Sequence, residues 1–337
     1  MEQKTITVVY VVISGGNDVY FEMAWASAWS LKKFNPEAHV LVLTDDETID
    51  NLSSEAKTES VGCIDELRPV SFDGKYTNKE KSRWIKTNLR SLVDGVFLFI
   101  DTDTIITGSL LPLFDVECRD IGMALDNNCH SSEIGNYPIF HNMYVTPLRQ
   151  IFGDTYRQET DVYNSGVILI KDTQCAADFF NAWHANWMVS RSKGEPRDQL
   201  SLVKTIQDMP SVVAELPGIY NCQIRNSVKY FYDAAVLHTF TSQKKSTISP
   251  IFDNEMYWEI KEKGCITEHV KYILVNCKRL FSSPSIIEDK RNMLIRFEPA
   301  YILFIDCLFA TDGIRKKIYE AINFFSRAII WALRHIK

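Results

Sequence analysis

Apolar and polar positions along this chain fall into blocks whose period switches between that of a strand and that of a helix. Ile6 to Ile13 is a β-branched run ending in Ser14-Gly15-Gly16-Asn17-Asp18, which predicts a strand entering a tight turn. Phe21, Trp25, Ala28 and Leu31 follow at spacings of four and three, the stripe of an amphipathic helix closed by Asn35-Pro36. His39 to Leu43 is a second strand, and strand, helix, strand with short connections opens a parallel α/β sheet. A further helix is predicted from about Asn78 to Val93, with Ile85, Leu89 and Leu92 on its buried stripe. Arg83, Lys86 and Arg90 share another face of it, either a solvated basic face or a cationic patch beside a ligand.

The pattern is most informative from Val96 to Ile106. Val96-Phe97-Leu98-Phe99-Ile100 reads as a strand buried on both faces, and it runs into Asp101-Thr102-Asp103. Side chains alternate along an extended chain, so Asp101 and Asp103 are expected to point the same way and Thr102 the other. Two such carboxylates at the C-terminal end of a central strand can hold a hard divalent cation, at the edge where open α/β sheets keep their ligands. Taken alone, the same pair also describes a solvated strand-to-loop turn.

Later blocks extend the sheet. Ile121 to Leu125 and Val162 to Ile170 are strands, the second carrying a polar Asn164-Ser165-Gly166 insertion. The stretch from Asn127 to Tyr144 reads as a long loop of the kind that covers active sites. A helix with Ala176, Phe180, Trp183 and Trp187 facing the core comes next, and Pro196-Arg197-Asp198-Gln199 starts another. Ala234 to Phe240 is a last core strand with His238 inside it, a residue that in such a strand is more often packed core than ligand. Residues 1–250 are read as the α/β domain and 251–337 as a mainly helical region ending in a basic amphipathic helix.

Composition narrows the classes. The chain has 337 residues, 46% of them hydrophobic and 24% charged, an ordinary globular balance. A net charge of −6 leaves no basic footprint for nucleic acid. The Gly15-Gly16 turn is not G-x-G-x-x-G, which argues against a dinucleotide. Eight cysteines without C-x-x-C or zinc spacing read as free thiols of a reducing compartment, and no apolar run reaches the length of a transmembrane helix. A cytoplasmic protein is expected. Residues 315–337 carry six basic residues against one acidic, with Trp331 and Phe324-Phe325 among them. That helix either lies on an anionic inner membrane leaflet or packs on the protein's own core.

Four features, in order, resemble the GT-A glycosyltransferases, most closely glycosyltransferase family eight, which includes glycogenin and bacterial lipooligosaccharide galactosyltransferases. They are the Arg83 helix before a strand ending in Asp101-Thr102-Asp103, the Asn164-Ser165-Gly166 strand, the Asp198-Gln199 pair opening a helix, and His238 with Lys244 six residues on. The resemblance covers roughly residues 5 to 250. It implies that Asp101, Asp103 and His238 hold Mn²⁺ or Mg²⁺. It also implies that Arg83, Lys86, Lys244, Ser14, Gly15, Asp101 and Thr102 contact a nucleotide sugar, and that Asp198, Gln199 and Asn164 orient the sugar and the reacting face. The implied reaction is transfer of a hexose from a nucleotide diphosphate sugar, in particular a UDP-sugar, to a glycan or lipid-linked acceptor, with retention of configuration, in cell-surface polysaccharide or lipopolysaccharide synthesis. The chain departs from the family's last motif, where glycine and Pro-Trp are replaced by Thr241 and Lys245-Ser246. Two other readings stay open: a haloacid-dehalogenase-like phosphatase using Asp101 as nucleophile and Asp103 as general acid, and a nucleotide-sugar-binding protein without turnover.

Overall fold

The computed structural model describes residues 6–74, 76–135, 140–153, 160–224, 226–227, 229–240 and 254–280, with scattered positions between 313 and 325. The chain divides into two compact units, Met1–Ile286 and Ile287–Lys337, and the sheets and helices of the fold belong to the first. Its strands are β1 (Thr7–Val11), β2 (His39–Thr44), β3 (Glu66–Pro69), β4 (Phe97–Ile100), β5 (Thr104–Ile106), β6 (Ile121–Leu125), β7 (Tyr163–Ile170), β8 (Val213–Glu215), β9 (Cys222–Gln223) and β10 (Val236–His238). Its helices are α1 (Tyr20–Phe34), α2 (Asp46–Asp50), α3 (Ser54–Ser60), α4 (Asn78–Thr87), α5 (Leu89–Leu92), α6 (Ser131–Ile134), α7 (Thr146–Phe152), α8 (Gln174–Ser192), α9 (Gln199–Asp208), α10 (Glu255–Lys263) and α11 (Glu268–Leu280).

Seven strands form the main sheet in the order β3-β2-β1-β4-β7-β6-β8, parallel except for β7, which runs antiparallel to both its neighbours. The α/β reading with a mostly parallel sheet therefore holds. Alternation along each strand builds two cores, because successive side chains leave the sheet on opposite faces. Val8, Tyr10, Leu98, Ile100, Val167 and Leu169 join α1, α10 and α11 on one face. Val9, Val11, Phe97, Phe99, Ile168 and Ile170 join α4, α5, α8 and α9 on the other. The predicted aromatic stripe of α8 is core: Phe180, Trp183 and Trp187 are all buried there. The cysteines among the described residues are free thiols, and no helix among those residues is long and apolar enough to cross a membrane.

Three expectations are corrected. The helix from 78 to 93 is two helices broken at Asn88, whose side chain donates to the carbonyl of Trp84 at 2.8 Å and faces His184 Nδ1 at 2.8 Å. That competition of an amide side chain with the helix ladder is the ordinary cause of such a break. The loop from 127 to 144 contains α6 and a π-helical turn, His141–Val145, that runs straight into α7. Thirdly, the chain does not stay extended through Asp101-Thr102-Asp103. It bends there, leaves the main sheet, and enters a small second sheet of order β5-β10-β9 in which β5 pairs antiparallel with β10. Residues 241–253, Lys244 among them, and most of 315–337 lie outside the described residues, and the described positions between 313 and 325 are helical.

Candidate active site

The bend at Thr102 organises the site. It places Asp101 at the end of β4 and Asp103 at the start of β5, and the β5–β10 pairing sets His238 opposite Thr104. Thr239 locks the join by donating its N–H and its hydroxyl to the Asp103 carbonyl, both at 2.9 Å. As a result, one ligand atom from each of Asp101, Asp103 and His238 lies within 4.8 Å of the other two. His238 Nε2 stands 3.3 Å from Asp103 Oδ1. A chain bend rather than strand alternation brings these two carboxylates together.

The cluster borders a cavity of about 680 Å³. Lining it are Asp18 and Tyr20, then Asn78, Lys79, Arg83 and Lys86 on α4 with Asp198 and Gln199 against that wall, and Asn164, Ser165 and Gly166 of β7. Thr102 lies between the two carboxylates and also faces the cavity. Ser14 and Gly15 are not on the wall. Their turn is tied to Asp18, which accepts from Ser14 Oγ at 2.6 Å and from Gly15 N at 2.9 Å, so Asp18 presents itself to the cavity in their place.

The α4 wall is built by charge. A capping box, Thr77 with Glu80, starts the helix. Two turns on, buried Lys86 donates to both oxygens of Asp101, at 2.9 and 3.0 Å, with Asp198 Oδ2 at 3.6 Å. Arg83 Nε meets Asp198 Oδ1 at 2.8 Å. Asp198 occupies the N-cap position of α9 but does not cap it. Its carboxylate instead faces these cations and accepts from Ser165 Oγ at 3.2 Å, while its carbonyl takes Trp183 Nε1 at 3.2 Å and Ser201 Oγ at 2.7 Å. Burial alone would raise the Asp198 carboxyl, but the Arg83 and Lys86 charges more than reverse this and hold it at about 2. Gln199 donates to the Tyr163 carbonyl at 2.8 Å, which holds its amide beside the cavity.

The wall opposite is built by packing and neutral amides. His238 stacks on Phe240, with ring centroids 4.0 Å apart. Its other flank lies so close to Gly166 that a Cβ there would meet His238 Cε1 at 2.2 Å. The glycine of the Asn-Ser-Gly insertion is therefore a steric requirement of the histidine. His238 Nδ1 meets Asn221 Oδ1 at 3.0 Å, Asn221 donates to Asn164 Oδ1 at 2.9 Å, and Asn164 donates to Asp126 Oδ1 at 2.9 Å. Tyr144 and Asn127 donate to the other Asp126 oxygen. Burial raises the Asp126 carboxyl above its ordinary value, in spite of these donors. Burial raises Asp103 too, but the neighbouring His238 outweighs it and the carboxyl is lowered.

Sequence reasoning missed Asp126, Asn221, Tyr144, Tyr20 and Phe240. Asp126 had a usable signal, since β6 ends in Asp126-Asn127-Asn128 much as β4 ends in Asp101-Thr102-Asp103. Asn221 had none, being a single amide in an irregular stretch.

The donor set suits a divalent metal. Two carboxylates and an imidazole are hard-to-intermediate ligands, and Nε2 is the ring nitrogen left facing them when Nδ1 is engaged by Asn221. The cavity lining also carries four carboxylates, Asp18, Asp101, Asp103 and Asp198, against Lys79, Arg83 and Lys86. A diphosphate entering that field needs a further cation.

No protein-family model matches the chain, and no curated protein matches it. Solved structures do. Galactosyltransferase LgtC, in complex with donor and acceptor sugar analogs, aligns at a TM-score of 0.53 and 16% sequence identity over 79% of this chain and 99% of that one. An active-site mutant of LgtC aligns at 0.52 and 15% identity, over 83% and 98%. The glycosyltransferase GlyE of Streptococcus pneumoniae TIGR4 gives 0.47 at 16% identity over 85% of this chain, which spans 66% of GlyE. The chain has the fold of the LgtC structures, the GT-A arrangement that its motifs led us to expect.

Proposed function

We propose that this protein is a metal-dependent glycosyltransferase that moves a hexose from a nucleotide diphosphate sugar, in particular a UDP-sugar, to a glycan or lipid-linked acceptor. The observation that carries the reading is the convergence of Asp101, Asp103 and His238 at the rim of a cavity whose other wall bears Arg83, Lys86, Asp198 and Gln199. The shared fold with LgtC supports it. Asp101, Asp103 and His238 would hold Mn²⁺ or Mg²⁺, which supplies Lewis-acid stabilisation to the leaving nucleoside diphosphate.

The chain's own residues supply the rest. Arg83 lines the cavity and carries positive charge to the oxygens of the departing diphosphate, with Lys244 in the same role from outside the described residues. Lys86 holds Asp101 in place through both carboxylate oxygens. Asp18 and Tyr20 receive the nucleoside, in front of the Ser14-Gly15 turn. Asp198 and Gln199, fixed at the start of α9, orient the sugar hydroxyls, and Asn164 shapes the reacting face. Holding both partners in one geometry is itself a large part of such catalysis.

We further propose retention of the anomeric configuration, a role in cell-surface polysaccharide or lipopolysaccharide synthesis, and action from the cytoplasm with residues 315–337 resting on an anionic membrane face. In the phosphatase alternative the acidic motif normally ends the first strand, whereas Asp101-Thr102-Asp103 follows β4.

A panel of sugar nucleotides, assayed for nucleoside diphosphate release with Mn²⁺ and with a chelator, tests the proposal. The expected result is release from one nucleotide sugar, abolished by the chelator, with the product anomer read by NMR matching the donor. Turnover of a generic phosphate ester without any sugar-nucleotide cleavage would favour the phosphatase. Metal-dependent binding without turnover, across a broad acceptor set, would favour a binding protein.

A further inference from the structure

We infer that Asp126, Asn164 and Asn221 form a relay of positioning residues that fixes the tautomer and orientation of His238 and so sets the metal affinity of the site. The inference rests on the metal reading proposed for Asp101, Asp103 and His238. Its basis is the direction in which each hydrogen bond must run. An ionised carboxylate only accepts, so Asp126 obliges Asn164 to turn its NH₂ toward it, at 2.9 Å. The Asn164 carbonyl oxygen then points the other way, where the obligatory N–H of Gly166 (2.9 Å) and the NH₂ of Asn221 (2.9 Å) both donate to it. With its NH₂ so committed, Asn221 can offer His238 only its Oδ1, at 3.0 Å from Nδ1. Nδ1 must therefore carry a proton, which leaves Nε2, 3.3 Å from Asp103 Oδ1, as the ring nitrogen turned to the two carboxylates and available to a shared cation.

The scaffold is sealed from behind. Asp126, Asn127, Asn128, Asn164, Asn221 and Gln223 are all buried. Asn128 donates to the Asn221 carbonyl at 2.9 Å and accepts from Gln223 N at 3.0 Å, which pins the backbone on which Asn221 sits. Asn127 and Asn128 adopt left-handed backbone with φ of 58° and 51°, a conformation asparagine tolerates better than most residues. That strained pair brings both side chains back under the relay. A network in which every orientation follows from one fixed acceptor is high-stakes, because a single flipped amide leaves two like groups facing each other.

Two measurements test the relay. In the wild-type protein, long-range ¹H–¹⁵N correlation of labelled histidines reads where the His238 ring proton sits. The relay requires a proton on Nδ1, and a bare Nδ1 with the proton on Nε2 overturns it. Binding of Mn²⁺ alone, followed by electron paramagnetic resonance of the free ion, reads the consequence. Asn221→Leu, which removes the acceptor, is expected to weaken Mn²⁺ by about 10–100-fold. Asn221→Asp still accepts from Nδ1–H but sets a carboxylate oxygen against Asn164 Oδ1, so it should recover part of that loss, a partial rescue that a merely structural role for Asn221 would not produce. Wild-type affinity in Asn221→Leu, with its fold intact by circular dichroism, overturns the relay. Should the wild type itself bind no Mn²⁺, the metal reading fails, while the ring-proton measurement still decides the relay on its own.

Discussion

Asp198 and Asp126 are both buried aspartates within the same site, and they are held by opposite means. Asp198 faces two cations, Arg83 and Lys86, and its carboxyl is depressed to about 2. Asp126 accepts from a phenol and two amides, and burial wins, so its carboxyl is raised. One wall of the cavity is thus a charge lattice and the other a lattice of dipoles. The first can respond to an arriving polyanion, because Arg83 is partly exposed and can share its charge with a ligand. The second has no such freedom, and its work is to keep a histidine ring in one pose. The contrast teaches where tolerance to substitution should lie.

Removing a charge from the cationic wall should cost most. Lys86→Met leaves half-buried Asp101 without its partner and buried Asp198 with one cation fewer. Breaking one side of a buried pair costs about 3–5 kcal/mol, so urea unfolding of the metal-free variant should show a loss of that order. A loss below about 1 kcal/mol would mean that the wall is hydrated and the contrast is overstated.

A steric test of the other wall ranks next. Gly166→Ala drives a methyl into the His238 ring, and overpacking of this kind costs about 1–3 kcal/mol. The larger sign should be functional, a weakened Mn²⁺ affinity beyond what the lost stability explains. Wild-type Mn²⁺ affinity in a destabilised variant would place Gly166 in general packing instead.

Acid sharpens the comparison with a smaller effect. A carboxyl whose folded value lies below its unfolded one stabilises the fold above the unfolded value, and that contribution is lost as pH falls through the folded one. For Asp198 the window runs from its ordinary 3.8 down to about 2, and the contribution is ~2 kcal/mol. Asp126, being raised, has the opposite sign: its burial cost is relieved as pH falls through its raised value toward the ordinary one. Chemical denaturation between pH 5 and pH 2.5 should therefore show a steeper acid loss for wild type than for Asp198→Asn. Parallel slopes would remove Asp198 from the charge lattice.

The same division explains what could be read from the sequence. Charged and periodic features were legible: the Arg83 and Lys86 face, the Asp101-Thr102-Asp103 terminus, the Asp198-Gln199 helix start and the strands around them all stand where their patterns put them. The break at Asn88 and the bend at Thr102 were not, because each involves a distant partner, His184 for the Asn88 amide and β10 for the strand after Thr102, and no apolar period marks the helical turns between Asn127 and Tyr144. The amide wall was least legible. Asn221 and Asn164 are 57 residues apart, and nothing local marks either as the other's partner. Gly166 shows the halfway case, a motif residue visible in the chain whose reason, the approach of His238, appears only in three dimensions.

The central claim is that Asp101, Asp103 and His238 form a metal-dependent donor site. Isothermal titration of nucleoside diphosphates, with and without Mn²⁺, on wild type and Asp103→Ala tests it most directly. The account predicts tight binding of one nucleoside diphosphate only when Mn²⁺ is present, weakened by about 10²-fold or more in Asp103→Ala, on the order of 3 kcal/mol. Binding that is indifferent to Mn²⁺ and to the substitution would contradict it.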